Sequence, residues 1–216
     1  AEAAAAAVAQ AAAEADAATA AEAQAAAEAA AAAAAIAQAA AEAAQAAAEA
    51  EASAPKNIAF TANLDTLVGG SGDDTFSGVY YANGGTGTTA FPGDTVNGGA
   101  GTDTLIISAA GTETADQAIN AISTTGVETV FVSNYATAAK VAIVDTSLMD
   151  GVTTLGLTSS IANGDTQFTN VKNIVAAELR NGSGDLTITY IADTVKGTTD
   201  AATLTVSNVS AGAFVS

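Results

Sequence analysis

Two glycine-rich segments carry an aspartate at the same place, and their residue types suit cation binding. Residues 69–77 read GGSGDDTFS, and residues 98–106 read GGAGTDTLI. Glycine permits tight turns with positive φ and leaves the turn carbonyls accessible, while Asp74 and Asp103 add charged oxygen ligands. Hard divalent cations prefer such ligands. The pattern therefore indicates either a cation site or a pair of ordinary glycine-aspartate β-turns.

A second pair of aspartates strengthens the case for a repeated unit. Asp65 lies nine residues before Asp74, and Asp94 lies nine residues before Asp103. Each glycine turn is therefore preceded by a short strand in the same phase, and a second strand follows it. The apolar residues expected to point into the core of these strands are Leu67, Phe76, Val96 and Leu105.

Both segments match the nonapeptide G-G-x-G-x-D-x-U-x of calcium-binding parallel β-rolls. The chain here resembles the RTX (repeats-in-toxin) proteins that bacteria secrete. The resemblance implies that the two turns stack on one edge of a β-roll and hold Ca²⁺ between Asp74 and Asp103, with help from backbone carbonyls. The further ligand candidates are Asp65, Gly70, Gly72, Asp73, Asp94, Asn97, Gly99 and Gly101.

The spacing of the two turns departs from that of long RTX arrays. The turns begin 29 residues apart, whereas an RTX coil of two nonapeptides takes about 18 residues. We expect the turns to stack all the same, with residues 78–93 bulging from the opposite edge. Only two motifs are present, which implies weak calcium coupling.

Composition excludes several functional classes. The chain has 23 acidic and 5 basic residues, for a net charge of −18, and it lacks both Cys and His. Nucleic acid and anionic lipid would be repelled. Disulfide scaffolds, Cys/His zinc sites and catalytic arrangements that need His or Cys are excluded. No membrane insertion is expected, since no uncharged apolar span of sufficient strength is present. The first residue is Ala, which favours a processed chain or a piece of a larger one.

Residues 1–54 form an alanine-rich segment with the heptad AQAAAEA, and we expect a helical rod about 80 Å long. Gln10, Gln24, Gln38 and Gln45 share one heptad position, and Glu14, Glu28, Glu42 and Glu49 share another. Pro55 predicts a boundary after the rod. Packing of the alanine face against other helices, a solvated spacer and an ice-binding helix are the three interpretations. The last would require regularly spaced Thr, and Thr19 stands alone.

Residues 111–216 show weaker repeats. Residues 111–125 carry apolar side chains at helical spacing, which predicts a short amphipathic helix. Segments beginning at residues 126, 151 and 170 read GVETVFVS, GVTTLGLTS and NVKNIVAAE. Their expected inward pairs are Val130 and Val132, Leu155 and Leu157, and Ile174 and Ala176. The repeats predict a parallel β-solenoid, with a β-sandwich as the alternative. The predicted fold is thus mostly β, with domains 1–54 (rod), 55–110 (calcium β-roll) and 111–216 (solenoid body).

Over residues 61–216 the chain also resembles bacterial surface-layer and large cell-surface proteins of the RTX type. The resemblance implies a secreted, non-enzymatic structural subunit that assembles with copies of itself into a calcium-stabilised extracellular layer or filament, with a cell-surface polysaccharide as the expected anchor. One alternative is an adhesin segment that binds sugar, ice or a host surface, which should show an exposed aromatic or Thr array. Another is a polysaccharide-modifying enzyme module, which the absence of His and scarcity of basic residues disfavour.

Overall fold

The structure, a computed structural model, describes residues 2–81, 86–111, 115–120, 122–136, 140–196, 200–210 and 215–216. The chain divides into two compact units, residues 1–51 and residues 52–216. The first is helical, and the second is a parallel β-solenoid whose described strands complete about five coils. The predicted fold class is therefore confirmed, and the sandwich alternative is excluded.

Helix α1 spans Glu2–Ala52 and confirms the predicted rod, which ends two residues before the predicted boundary at residue 54. Alanine has the highest helix propensity, and Gln–Glu pairs four residues apart add side-chain hydrogen bonds on one face. Those bonds join Gln10 to Glu14, Gln24 to Glu28, Gln38 to Glu42 and Gln45 to Glu49, at 2.8–3.0 Å. No residue of α1 is buried. Among the described residues, no helix has both the length and the apolar character needed to cross a bilayer.

The second unit is built from short strands. They are β1 (Asn57–Ala59), β2 (Thr66–Gly70), β3 (Thr75–Tyr81), β4 (Thr95–Gly99), β5 (Thr104–Ala110), β6 (Gln117–Ile119), β7 (Ser123–Thr125), β8 (Thr129–Asn134), β9 (Ala142–Asp145), β10 (Thr154–Thr158), β11 (Thr166–Val171), β12 (Ala176–Arg180), β13 (Leu186–Tyr190) and β14 (Leu204–Ser207).

These strands stack in parallel into three sheets. Within the described residues, the orders are β1-β3-β5-β8-β10-β12-β14, β13-β11-β9-β6 and β2-β4-β7. Strands β5 and β8 pair directly across the predicted boundary between residues 110 and 111. The first sheet therefore runs through both predicted β segments.

The core consists of side chains that face inward at matching positions of successive coils. Phe76, Leu105, Val130 and Leu155 lie in register and are fully or almost fully buried. Val132 and Leu157 are buried beside them, and Val96 is buried on the opposite strand. The predicted inward positions in these coils are therefore confirmed, with Leu67 partly buried.

The predicted amphipathic helix at residues 111–125 is wrong. Its described part contains strands β6 and β7, and residues 112–114 and 121 lie outside the described residues. The main-chain N–H of Gln117 donates to Val141 O at 2.8 Å, as in a parallel ladder. Ile119, at the end of β6, and Ile122, just before β7, are both buried. The two strands belong to different sheets, so the three-residue spacing of these isoleucines resembles a helical period without being one.

The register also differs from the predicted one in the third repeat. Leu155 and Leu157 lie beside Ala177 and Leu179, instead of the predicted Ile174 and Ala176. The stretch between β11 and β12 shifts the inward pair three residues later. Val175 is buried in this stretch, so the apolar residues there did not distinguish the two alignments.

The predicted bulge at residues 78–93 is wrong for its first four residues. Gly78 and the next three residues continue β3 and pair with β5, from Gly78 beside Ile107 to Tyr81 beside Ala110. Residues 82–85 lie outside the described residues. The extra length of this coil is therefore partly used to extend a strand.

Candidate cation site

The two glycine turns stack directly on one another. Thr66 and Gly70 of β2 lie beside Thr95 and Gly99 of β4. After the turns, Thr75 lies beside Thr104. The motif positions therefore coincide coil on coil, and the insertion between the motifs does not disturb their register.

Glycine is required here because the coils approach closely. A Cβ atom at Gly69 would lie less than 3.0 Å from the carbonyl oxygen of Gly98, and a Cβ atom at Gly98 would lie equally close to that of Gly126. Gly99 and Gly101 have φ angles of 103° and 116°, which other residues rarely adopt. Close stacking thus explains the glycines without any ion.

Each coil places one carboxylate at the corner that follows the turn. The main-chain N–H of Lys56 donates to Asp74 Oδ1 at 2.7 Å, and that of Asp74 donates to Asp103 Oδ1 at 2.7 Å. The N–H of Asp103 donates in turn to Glu128 Oε2 at 2.8 Å. We call Asp74, Asp103 and Glu128 the carboxylate column. In it, each acid caps the main chain of the preceding coil.

Glu128 is a member of this column that the motif analysis did not include. It lies 25 residues after Asp103, outside either nonapeptide. It precedes Thr129 just as Asp74 and Asp103 precede Thr75 and Thr104. An acidic residue followed by Thr at the start of a strand is therefore the sequence feature that could have identified Glu128.

The second oxygens of two column members lack partners. Asp74 Oδ2 and Asp103 Oδ2 are buried and accept no hydrogen bond from the described residues. A Cβ atom at Gly69 would lie less than 3.0 Å from both Asp74 Oδ2 and Gly98 O. Two hydrogen-bond acceptors therefore border the same small space with no donor between them. A buried acceptor without a partner is costly, so a proton or a cation between the two would stabilise the turn.

The same arrangement recurs one coil later. A Cβ atom at Gly98 would lie less than 3.0 Å from both Asp103 Oδ2 and Gly126 O. The column thus contains two spaces of the same kind, each bordered by one carboxylate oxygen and one carbonyl oxygen.

Electrostatics at Asp103 disfavour an uncompensated charge. Burial raises the pKa of its carboxyl above the usual range, against the hydrogen bond from the N–H of Asp74, which lowers it. The negative charges of Asp74, Glu128 and Asp73 raise this pKa further. A cation at the column would favour the charged carboxylate and so lower this pKa.

Asp65 and Asp94 lie away from the glycine turns. They precede β2 and β4, so each lies four residues, about 13 Å of extended strand, before the first glycine of its turn. Asp94 is buried, and its Oδ1 accepts from the N–H of Asp65 at 2.9 Å and its Oδ2 from that of Phe91 at 2.6 Å. The carboxylate of Asp65 accepts the N–H and the hydroxyl of Thr61. Both side chains cap the main chain at this second corner.

The remaining acidic and amide candidates are exposed. Asp73 precedes Asp74, and its Oδ1 accepts the N–H of Thr102 at 2.7 Å. Asn97 is exposed on β4, with its amide oxygen 3.8 Å from where a Cβ atom at Gly126 would lie. Asp73 therefore joins the two turns, while Asn97 borders the next coil.

The other glycine candidates lie within the stack. Gly70 O accepts the N–H of Ala100 at 2.9 Å. The carbonyl oxygens of Gly70 and Gly72 face Gly99 and Gly101 so closely that a Cβ atom at either would lie within 3.0 Å of them. These carbonyls therefore contribute to coil stacking in the structure.

Carboxylates alone do not form a metal cage at this site. Among the described residues, no three acidic side chains converge closely enough to hold a metal ion. The donor set that fits an ion combines the orphaned oxygens of Asp74 and Asp103 with the carbonyls of Gly98 and Gly126. Ca²⁺ accepts such mixtures of carboxylate, carbonyl and water ligands in flexible geometry, whereas Mg²⁺ demands a stricter octahedron.

Comparisons of the chain with protein-family models, curated proteins and solved structures found no match. Function is therefore inferred from the geometry of the chain and from the resemblance of its motifs.

Proposed function

We propose that this chain is a structural subunit of a calcium-stabilised, self-assembling extracellular layer or filament on a bacterial surface. The observation that carries the proposal is the pair of buried, unpartnered oxygens on Asp74 and Asp103, each against a carbonyl of the next coil. The nonapeptide resemblance supports the choice of calcium and the class of protein.

Bound calcium would supply positive charge between adjacent coils. Asp74 and Gly98 O would hold one ion, and Asp103 and Gly126 O a second, with water completing the ligands. The chain itself preorganises both carboxylates, because their first oxygens are fixed by main-chain N–H groups. Calcium therefore strengthens the solenoid without having to order its ligands first.

The last described strand supports the idea of assembly. Leu204 and Val206 lie beside the core residues Ala177 and Leu179, yet they are 53% and 58% exposed. On β14, the residues aligned with the core thus leave apolar surface exposed to solvent. A second copy is the proposed neighbour of this surface, since stacking of coils is how the fold buries such side chains elsewhere.

Helix α1 supplies a second surface for assembly. Its side chains are mostly methyl groups, and none of its residues is buried. Small side chains allow helices to pack closely, so we propose that α1 packs against helices of other copies. At a net charge of −18, copies repel one another until cations neutralise their carboxylates.

The proposed location is outside the cell. Sites with few charged ligands fall in the ~10⁻⁴ to 10⁻³ M affinity range of extracellular calcium modules. Attachment to a cell-surface polysaccharide stays a prediction, with no residues assigned to it.

The exposed aromatic side chains of the described residues give the adhesin alternative little support. Tyr135 is the exposed aromatic side chain of the described residues, at 42% exposure. Tyr80 instead donates its hydroxyl to Ala118 O at 2.7 Å and is partly buried. Electron microscopy of the full chain, before and after calcium depletion, tests the proposal. We expect ordered polymers that disperse on depletion; dispersed particles in both states would contradict it.

A further inference from the structure

Lys56 occupies the position of the carboxylate column in the first coil. Its carbonyl accepts the N–H of Thr75 at 2.8 Å, just as Asp74 O accepts that of Thr104 at 2.8 Å. Its own N–H donates to Asp74 Oδ1. The first coil thus has a basic residue where the next three coils have Asp74, Asp103 and Glu128.

The ammonium group of Lys56 is directed at the first glycine turn. Its Nζ donates to Gly69 O at 2.9 Å and passes beside Gly70, where a Cβ atom would lie 2.9 Å from Nζ. Other basic side chains behave differently. Lys172 and Lys196 each pair with an exposed carboxylate, of Asp150 and Asp193.

The carbonyls of Gly69, Gly98 and Gly126 are equivalent positions of three successive coils. Those of Gly98 and Gly126 each face an orphaned carboxylate oxygen. That of Gly69 faces the Lys56 ammonium instead. The same carbonyl position is therefore paired with a lysine ammonium in the first coil and faces an unpaired carboxylate oxygen in each of the next two coils.

We propose that Lys56 is a built-in cation that satisfies Gly69 O in place of a calcium ion. The inference rests on the proposed calcium sites. Its consequence is that Gly69 O needs no metal, so calcium binds only at the two spaces bordered by Asp74 with Gly98 O and by Asp103 with Gly126 O. Replacing Lys56 by Asp would place a carboxylate beside Gly69 O, as in the next two coils, and create a third site.

Three substitutions in the full chain test this inference. Lys56→Asp supplies the acid that the next coils have at this position, Lys56→Met removes the charge and keeps the stem, and Lys56→Arg keeps the charge. Lys172→Met is the matched control, because it removes a lysine that pairs with an exposed acid. The readouts are the number of calcium ions bound per chain, by native mass spectrometry, and the melting temperature in chelator and in saturating calcium.

We expect Lys56→Asp to bind one more ion per chain than the wild type, and its melting temperature to fall by roughly 3 °C in chelator and recover in calcium. Lys56→Met should lose a similar amount in both conditions without gaining an ion. Lys56→Arg and Lys172→Met should match the wild-type ion count. Should Lys56→Asp fail to fold in chelator, its ion count in calcium still supplies the comparison.

Two results would overturn the inference while leaving the calcium proposal intact. One is an unchanged ion count in Lys56→Asp, with the same loss of melting temperature in calcium and in chelator. The other is wild-type stability of Lys56→Met in chelator, which would show that Gly69 O needs no cation. A wild-type chain that binds no calcium would instead overturn the proposed function, and the inference with it.

Discussion

The main-chain N–H of Asp74 donates a 2.7 Å hydrogen bond to Oδ1 of Asp103, which lies 29 residues later and one coil further along the solenoid. Oδ2 of the same carboxylate is buried and has no partner among the described residues. One oxygen thus holds two coils together, and the other is left for a proton or a cation. Substitutions that preserve the first role and remove the second can separate structure from ion binding.

Asp103→Asn should weaken the calcium response without damaging the fold. The amide oxygen can still accept the N–H of Asp74, and the amide nitrogen can donate to Gly126 O. We expect stability in chelator to rise by about 1 kcal/mol and the melting temperature to rise less with added calcium than in the wild type, because only the site at Asp74 remains. Differential scanning calorimetry with and without calcium measures both.

Asp94→Asn is the matched control for this experiment. Asp94 is equally buried, but both of its oxygens accept main-chain N–H groups. The variant should lose about 1–2 kcal/mol by leaving the N–H of Phe91 unpaired, yet keep the full calcium response. An undiminished calcium response in Asp103→Asn would place the second site elsewhere.

Ionisation of Asp103 should lower the stability of the metal-free protein as the pH rises. Burial raises the pKa of this carboxyl above its usual range, so the folded state binds the proton more tightly than the unfolded state. The resulting stabilisation is fully present below the usual carboxyl pKa of about 4 and is lost as pH rises through the folded-state pKa. Urea unfolding in chelator should show wild type losing stability relative to Asp103→Asn over this range. A pH-independent difference would refute the assignment.

Gly98→Ala should be far more damaging than Gly151→Ala. A Cβ atom at Gly98 would collide with Gly126 O and Asp103 Oδ2. Gly151 has a φ angle of 87° but nothing within 4 Å of a Cβ atom, so it isolates the backbone cost. We expect losses of ~3 kcal/mol or more for the first and about 1 kcal/mol for the second. Equal losses in chemical denaturation would mean that the turns are not packed as described.

Gln117→Leu should stabilise the solenoid. Gln117 is fully buried, and neither polar atom of its amide has a partner among the described residues. Removing it relieves a desolvation cost of about 1–3 kcal/mol. Asn134→Leu is the control, because that buried amide bonds to Lys140 O, Asp165 O and the N–H of Ala136. Destabilisation by both substitutions would imply that an internal water satisfies Gln117.

Local patterns made part of this structure predictable. The nonapeptide places an apolar residue two positions after its aspartate, so Phe76 and Leu105 were identified as core residues from their spacing alone. Helix α1 was equally predictable from its heptad, because alanine forms helices without tertiary contacts. These features depend on neighbours within a few residues along the chain.

Other features depend on which coil lies beside which. Lys56 bonds to Asp74 across 18 residues, and Glu128 bonds to Asp103 across 25 residues. Neither Lys56 nor Glu128 belongs to a nonapeptide. Ala177 and Leu179 replace the predicted inward pair because the preceding stretch is longer than its repeat suggested. Coil length is set by corners and loops, whose sequences carry little periodic signal. The three-residue spacing of Ile119 and Ile122 likewise matched a helical period, although the two residues lie at consecutive strands.

Sedimentation velocity of the full chain in millimolar calcium, followed by chelator, tests the central claim most directly. The account predicts large species that form with calcium and return to monomers on chelation. It also predicts assembly of Asp94→Asn at the wild-type calcium concentration, a higher calcium requirement for Asp103→Asn, and only monomers or short oligomers after deletion of residues 1–54. A wild-type chain that stays monomeric at high concentration in millimolar calcium would contradict the structural-subunit proposal and favour the adhesin alternative.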